Sequence, residues 1–141
     1  MPSAITSRSA LFSLAMAACF GALAVTAGAE EIIHNPVAEF SGIDKITGRI
    51  ITFDVYVNET VQFGALQVTP RICNSRPETE TPKTTSFVEV DEITLDRKIR
   101  RIFTGWMFAD SPGLNAVEHA VYDVWLKSCK EKTDVPDPSK G

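Results

Sequence analysis

The chain has 141 residues, of which 18 are acidic and 14 are basic, and its formal net charge is −4. This balance argues against nucleic-acid binding, which needs clustered lysine and arginine, and it gives no reason to expect adhesion to an anionic membrane surface. Beyond the N-terminal segment no hydrophobic run is long enough to span a bilayer. The length suits one domain with a modest core.

Residues 1–29 have the three parts of a secretory signal peptide. Arg8 supplies positive charge, residues 10–25 are almost entirely apolar, and Ala27-Gly28-Ala29 offers the small residues that a signal peptidase reads. We therefore expect cleavage after residue 29 and a periplasmic protein. Two alternatives stay open: a lipoprotein attached through Cys19, and a membrane anchor formed by an uncleaved signal.

Cleavage would leave 112 residues with two cysteines, Cys73 and Cys129. Two cysteines in an oxidising compartment usually pair, so a structural disulfide is predicted. The alternative is a reactive redox pair, which no CxxC spacing supports. Strand periodicity, in the absence of bulges, places both sulfurs on the face turned away from the core, beside Trp125.

Apolar residues that alternate with polar ones predict about seven short strands after a leader of residues 30–36. The predicted strands are 37–43, 49–57, 61–63, 65–73, 86–93, 98–108 and 121–129. The alternation is clearest in 49–57, where Ile51, Phe53, Val55 and Val57 share one side. Leu66, Val68 and Ile72 are assigned to the core face of 65–73, and Pro70 puts that strand at an edge or at a bulge.

The pattern predicts an all-β fold, a small antiparallel sandwich or barrel with one disulfide and little helix. Its single β domain covers residues 37–129 and is followed by a disordered tail, 130–141. A polar, proline-rich loop covers 74–85, and a second loop covers 110–120 with one helical turn near 114–118.

The predicted hairpin 86–108 carries acidic residues on its first strand and basic residues on its second. Cross-strand ion pairs are the simpler interpretation, and an anion-binding patch is the alternative. The residues concerned are Glu89, Asp91 and Glu92 on one strand, and Arg97, Lys98, Arg100 and Arg101 on the other.

Catalytic side chains are scarce. His119 is the one plausible catalytic imidazole, and Ser111 with Asp110 or Asp123 would complete a hydrolytic set. Ser111 does not lie in a nucleophile elbow, however, and no sequence motif for a metal or a phosphate is present. We therefore predict no catalytic residue, no metal and no cofactor.

The segment 103–108 places aromatic and methionine side chains at both parities, so one face of a strand cannot hide them all. They are either buried on both sides, with Gly105 at a bulge, or exposed as a recognition patch. The patch that we predict has an aromatic part and a polar rim. Its residues are Trp106, Phe108, Trp125, Ser111, Asn115, Glu118 and His119.

Four segments, in their order along the chain, resemble the exported proteobacterial proteins grouped as domain of unknown function 2155. They are Gly42–Arg49, Thr69–Cys73 with Arg76 and Pro77, Phe103–Ala109 with Ser111 and Pro112, and Val121–Leu126 with Cys129. The resemblance covers about residues 40–129 and implies a periplasmic protein of alphaproteobacteria, with no catalytic residues to carry over. It also implies a gene near that of an accessory protein of respiratory NADH:quinone oxidoreductase, and so a membrane-complex partner.

These observations favour a non-catalytic periplasmic domain that docks through residues 106–119 onto an inner-membrane or envelope assembly. One alternative is a small-ligand-binding β domain with a pocket inside the barrel or sandwich. The other is a hydrolase that uses His119.

Overall fold

The computed structural model describes residues 31–140, so the predicted signal peptide and Cys19 lie outside the described residues. Eight β-strands account for nearly all regular structure in this range. They are β1 (Ile33–His34), β2 (Val37–Asp44), β3 (Ile50–Tyr56), β4 (Val61–Phe63), β5 (Leu66–Ser75), β6 (Thr85–Ile93), β7 (Ile99–Phe108) and β8 (Tyr122–Lys130). A single 3-10 turn, Pro138–Lys140, is the only helix of the described residues. The predicted all-β class with little helix is confirmed.

The strands form two antiparallel sheets that pack face to face. The larger sheet has the order β1-β5-β6-β7, with β4 also paired to β5, and the smaller sheet has the order β3-β2-β8. Two separate sheets make this a sandwich and not a closed barrel. The predicted leader thus contributes strand β1, which pairs with the end of β5.

The hairpin of β2 and β3 follows directly from its sequence. The carboxylate of Asp44 accepts hydrogen bonds from the backbone N–H groups of Ile46 and Thr47, at 2.9 and 3.3 Å. Gly48 then adopts a φ of 72°, which glycine reaches without steric cost. After this turn the alternating residues of the predicted 49–57 strand face the core: Val55 is buried, and Ile51, Phe53 and Val57 are partly buried.

The core fills the space between the sheets with side chains from both. Its buried members are Ala38, Phe40, Val55, Phe63, Leu66, Val68, Cys73, Val88, Val90, Met107, Val117, Val124 and Leu126. Val117 comes from the loop between β7 and β8, which therefore closes one side of the sandwich.

Three β-bulges interrupt the ladders. Arg71 is the extra residue in β5 opposite β6, Lys127 is the extra residue in β8 opposite β2, and Ile102 is the extra residue in β7 opposite β6. An extra residue shifts every later side chain to the other face of its strand. Gly105 pairs regularly with Val88, so the bulge predicted at Gly105 is wrong.

Two of these bulges decide where the disulfide lies. Cys73 and Cys129 are bonded, with their Cα atoms 5.7 Å apart, so the predicted disulfide is confirmed. The predicted position on the outer face is wrong, because Cys73 is only 1% exposed and belongs to the core. The extra residues Arg71 and Lys127 turn both cysteines inward, and the bond joins β5 of the larger sheet to β8 of the smaller one.

The same bulge in β5 corrects two further predictions. Ile72 was assigned to the core face, yet it is 40% exposed because Arg71 shifts it outward. The strand is not at an edge, since β6 lies on one side and β1 and β4 on the other; the bulge near Pro70 was the right alternative. The helical turn predicted near residues 114–118 is also absent from the described loop.

The C-terminal segment begins inside β8, at Lys130, and folds back onto β3. Thr133 donates a hydrogen bond to Asp54 at 2.5 Å, and the Tyr56 hydroxyl donates to the carbonyl of Val135 at 2.5 Å. Lys130 forms ion pairs with Glu39 and Asp54, whose carboxylates raise its pKa.

Candidate interaction surface

A row of apolar side chains crosses the outer face of the larger sheet. Ile72 lies directly opposite Phe87, and Phe87 lies directly opposite Trp106, so the three share one face of β5, β6 and β7. The rings of Phe87 and Trp106 meet edge to face, with centroids 5.5 Å apart. Trp106 is 38% exposed. We call these three residues the Trp106 row.

The sequence pattern predicted the Trp106 row only in part. Ile72 was expected in the core and Phe87 was not considered, because only the bulge at Arg71 brings Ile72 into register with Phe87. Trp106, a member of the predicted patch, is partly exposed, whereas Met107 beside it is buried.

A network of ion pairs lies next to the Trp106 row on the same face. Glu89 accepts from Arg71 at 3.1 Å and from Arg101 at 3.4 Å, and Arg101 also pairs with Asp91 at 2.5 Å. The hydrogen bond to Asp91 raises the pKa of Arg101. The cross-strand ion pairs predicted for this hairpin are therefore confirmed. The network has no excess of one sign, which does not suit an anion-binding patch.

The loop after β7 supplies part of the predicted polar rim. Asn115 donates through its side-chain amide to the carbonyl of Trp106, at 2.7 Å. The backbone N–H of Ser111 donates to the carbonyl of Phe108, at 3.2 Å. The structure thus brings four predicted surface residues together around the end of β7, and Glu118 is exposed farther along this loop.

Trp125 lies on the other sheet. Its neighbours Val124 and Leu126 are buried in the core, so its side chain points to the outer face of the smaller sheet. Ser41, its partner on β2, faces the same way. The two tryptophans are therefore on opposite sides of the sandwich and do not share one patch.

His119 has partners at both ring nitrogens. Nδ1 accepts from the backbone N–H groups of Val121 and Tyr122 at 3.0 and 3.1 Å, and Nε2 lies 3.1 Å from the Glu92 carboxylate. This pattern fits the tautomer that donates from Nε2 to Glu92. Hydrogen bonds from Arg100 and then from His119 lower the pKa of Glu92.

These hydrogen bonds hold the loop between β7 and β8 in place. Neither ring nitrogen of His119 is directed at a hydroxyl group that could act as a nucleophile. Ser111, predicted as the partner in a hydrolytic set, is instead placed near Phe108. Among residues 31–140, no group of three or more histidine, cysteine, aspartate or glutamate side chains is arranged to hold a metal ion. No helix in the same range is long and apolar enough to cross a membrane.

A family model described as an uncharacterized protein conserved in bacteria, DUF2155, matches residues 38–129. The chain belongs to this family. The matched range begins in β2 and ends at Cys129, so it contains both bulges that set the disulfide and the whole Trp106 row. The predicted resemblance is thereby confirmed. Neither a curated protein nor a solved structure matches this DUF2155 member.

Proposed function

We propose that this DUF2155 protein is a non-catalytic periplasmic domain that docks through the Trp106 row onto an inner-membrane or envelope protein assembly. The observation that carries the proposal is the row itself, a cross-strand line of Ile72, Phe87 and Trp106 on an open sheet face. Partly exposed aromatic residues of this kind dominate the energetics of many protein interfaces.

The ion-pair network beside the row suits recognition by a folded partner. A partner that covers the Trp106 row removes apolar surface from water, which favours association. Both signs of charge lie next to the row, on Arg71, Glu89, Arg101 and Asp91. A partner whose charges complement this arrangement binds more favourably than one that brings like charges together. Because these charges already pair with one another, they hold their positions before the partner arrives.

The export part of the proposal is supported by the sequence of residues 1–29 and by the disulfide. A cleavable signal would deliver the chain to an oxidising compartment, where a buried disulfide persists. The respiratory NADH:quinone oxidoreductase is the first assembly to test, because the family resemblance implies a gene neighbouring that of one of its accessory proteins.

Export is tested by recovering the protein from cells and sequencing its N-terminus. We expect the chain in the periplasmic fraction, beginning at Glu30 and with Cys73 and Cys129 oxidised. A chain that begins at Met1 in the cytosol, with both thiols free, would show that this part of the proposal is wrong. A lipid on Cys19 would replace the cleaved signal by the lipoprotein alternative.

Docking is tested by placing the photo-crosslinking residue p-benzoylphenylalanine at Trp106 in living cells. We expect a discrete crosslink to one membrane-complex subunit, because this side chain lies in the proposed contact. The matched control places the same residue at Trp125, on the outer face of the other sheet, where we expect no such product.

The variant Trp106→Ala should lose co-purification with the crosslinked subunit while retaining the native disulfide and cooperative unfolding. Equal crosslinking from positions 106 and 125 would contradict a specific surface. An intact association in a folded Trp106→Ala variant would show that the Trp106 row is not the docking site.

A further inference from the structure

A groove of about 300 Å³ opens at one end of the sandwich, where the β2–β3 hairpin approaches β4 and the start of β8. This volume is at the lower end of the range for small-molecule sites, about 300–1,000 Å³. Ile51, Phe63 and Tyr122 form its apolar walls. The rings of Phe63 and Tyr122 meet edge to face, with centroids 5.5 Å apart.

Two glycines hold these aromatic walls in place. A Cβ atom at Gly64 would lie 2.4 Å from the Tyr122 ring, and one at Gly42 would lie 2.8 Å from the Phe63 ring. Each ring therefore packs directly against backbone, which limits its movement. The groove has a preorganised aromatic wall and needs little rearrangement to accept an apolar group.

The rim of the groove carries one positive and one negative side chain. Asp44 and Arg49 belong to the same hairpin, and the N–H of Asp44 donates to the carbonyl of Arg49 at 2.9 Å. Asp44 uses Oδ1 to accept from the turn backbone at Ile46 and Thr47, which fixes the orientation of its carboxylate. Both charged residues line the groove.

These two charges are not neutralised by each other or by a neighbour. Within the described part of the chain, no ion pair joins Asp44 to Arg49, and the Arg49 guanidinium has no hydrogen-bond partner. An arginine guanidinium presents a planar fork that matches a carboxylate. A simple anion would be repelled by Asp44, and a simple cation would be repelled by Arg49.

We propose that this groove binds a free α-amino acid with an apolar side chain, in its zwitterionic form. The carboxylate of the ligand pairs with Arg49, its ammonium group pairs with Asp44, and its side chain lies against Phe63 and Tyr122. The site is separate from the Trp106 row, so this proposal goes beyond the docking function and either can fail without the other.

The test is an NMR titration of the isotopically labelled protein, which follows the backbone amides of Gln62 and Gly64. The probes are L-phenylalanine, 3-phenylpropanoate, which lacks the ammonium group, and 2-phenylethylamine, which lacks the carboxylate. We expect saturable shifts with L-phenylalanine and at least about tenfold weaker binding of both analogues, because each loses one charged contact.

Two conservative variants assign the contacts. Arg49→Gln should weaken L-phenylalanine binding about tenfold without weakening 2-phenylethylamine. Asp44→Asn keeps an acceptor for the turn, and it should weaken L-phenylalanine without weakening 3-phenylpropanoate. Lys132→Gln removes the same charge as Arg49→Gln at an exposed site away from the groove, and it should bind L-phenylalanine as the unmodified protein does.

Two outcomes would overturn the proposal. One is the absence of saturable shifts with L-phenylalanine up to its solubility limit. The other is binding of L-phenylalanine that neither Arg49→Gln nor Asp44→Asn weakens while both variants retain the native spectrum.

Discussion

Individual glycines show how closely this fold depends on single atoms. Gly48 and Gly64 both have positive φ values, 72° and 57°, yet their surroundings differ. A Cβ at Gly48 would meet no heavy atom within 4 Å, whereas one at Gly64 would lie 2.4 Å from the Tyr122 ring. Gly113 has open space and no such φ. Comparison of the three positions therefore separates the cost of backbone strain from the cost of steric overlap.

Alanine substitution at these positions should give three distinct losses of unfolding free energy. Gly113→Ala should change stability by less than about 0.5 kcal/mol. Gly48→Ala should cost about 1 kcal/mol, because alanine is strained in the left-handed region. Gly64→Ala should cost about 2–4 kcal/mol, since overlap with the Tyr122 ring adds to the same strain.

Urea denaturation of the three variants measures these differences directly. The native disulfide must be present in every sample, since its loss would lower stability independently. If Gly48→Ala and Gly64→Ala were equally stable, the packing of Tyr122 against the backbone of Gly64 would not contribute to the fold.

At the scale of elements, the strands were predictable, and their faces were predictable only up to the bulges. Period-two alternation located β2 through β8 to within a few residues, because burial of one face imposes that period. The short strand β1 escaped prediction, since two residues cannot show a period. The disulfide partners were predictable as well, because only two cysteines remain after residue 29.

The assignment of faces failed after each of two bulges. Ile72 was assigned inward and Cys73 outward, and the extra residue Arg71 reverses both. Cys129 was also assigned outward, and the extra residue Lys127 turns it inward. A bulge depends on how two strands pair across the sheet, and a single strand's sequence does not carry that information. The Trp106 row was only partly predictable for the same reason.

Deletions in β8 test this account. Deletion of Lys127 leaves a regular strand in which Leu126, Ser128 and Cys129 keep their present faces, so the disulfide should still form. Deletion of Trp125 makes Val124 and Leu126 neighbours, so one of these two buried side chains must leave the core face. We expect the unfolding free energy to fall by less than about 2 kcal/mol for the Lys127 deletion and by about 3 kcal/mol or more for the Trp125 deletion.

The two deletions are compared by urea denaturation and by the oxidised fraction in glutathione buffers. Lys127→Ala is the matched control, because it keeps the extra residue and removes only the side chain. If the disulfide of the Lys127 deletion variant were reduced as easily as that of the Trp125 deletion variant, the role assigned to the bulge would be contradicted.

At the scale of the whole molecule, the disulfide links two sheets that bury their apolar faces against each other. The smaller sheet has three strands, and its contact with the larger sheet is the core itself. Cys73 and Cys129 are separated by 56 residues, a segment that contains β6, β7 and the loop bearing Val117. The bond therefore constrains the unfolded chain over half of the domain.

Removal of this bond should cost about 4 kcal/mol of unfolding free energy, according to the chain-entropy model for a loop of this length. That is a large fraction of the whole unfolding free energy of a small domain, which is about 5–15 kcal/mol. The variant with both Cys73→Ala and Cys129→Ala is compared with the unmodified protein by urea denaturation, oxidised and after reduction. Reduction of the unmodified protein should cause a similar loss, because it also frees the unfolded chain. A loss below about 1 kcal/mol in both comparisons would mean that packing between the sheets alone holds the sandwich together.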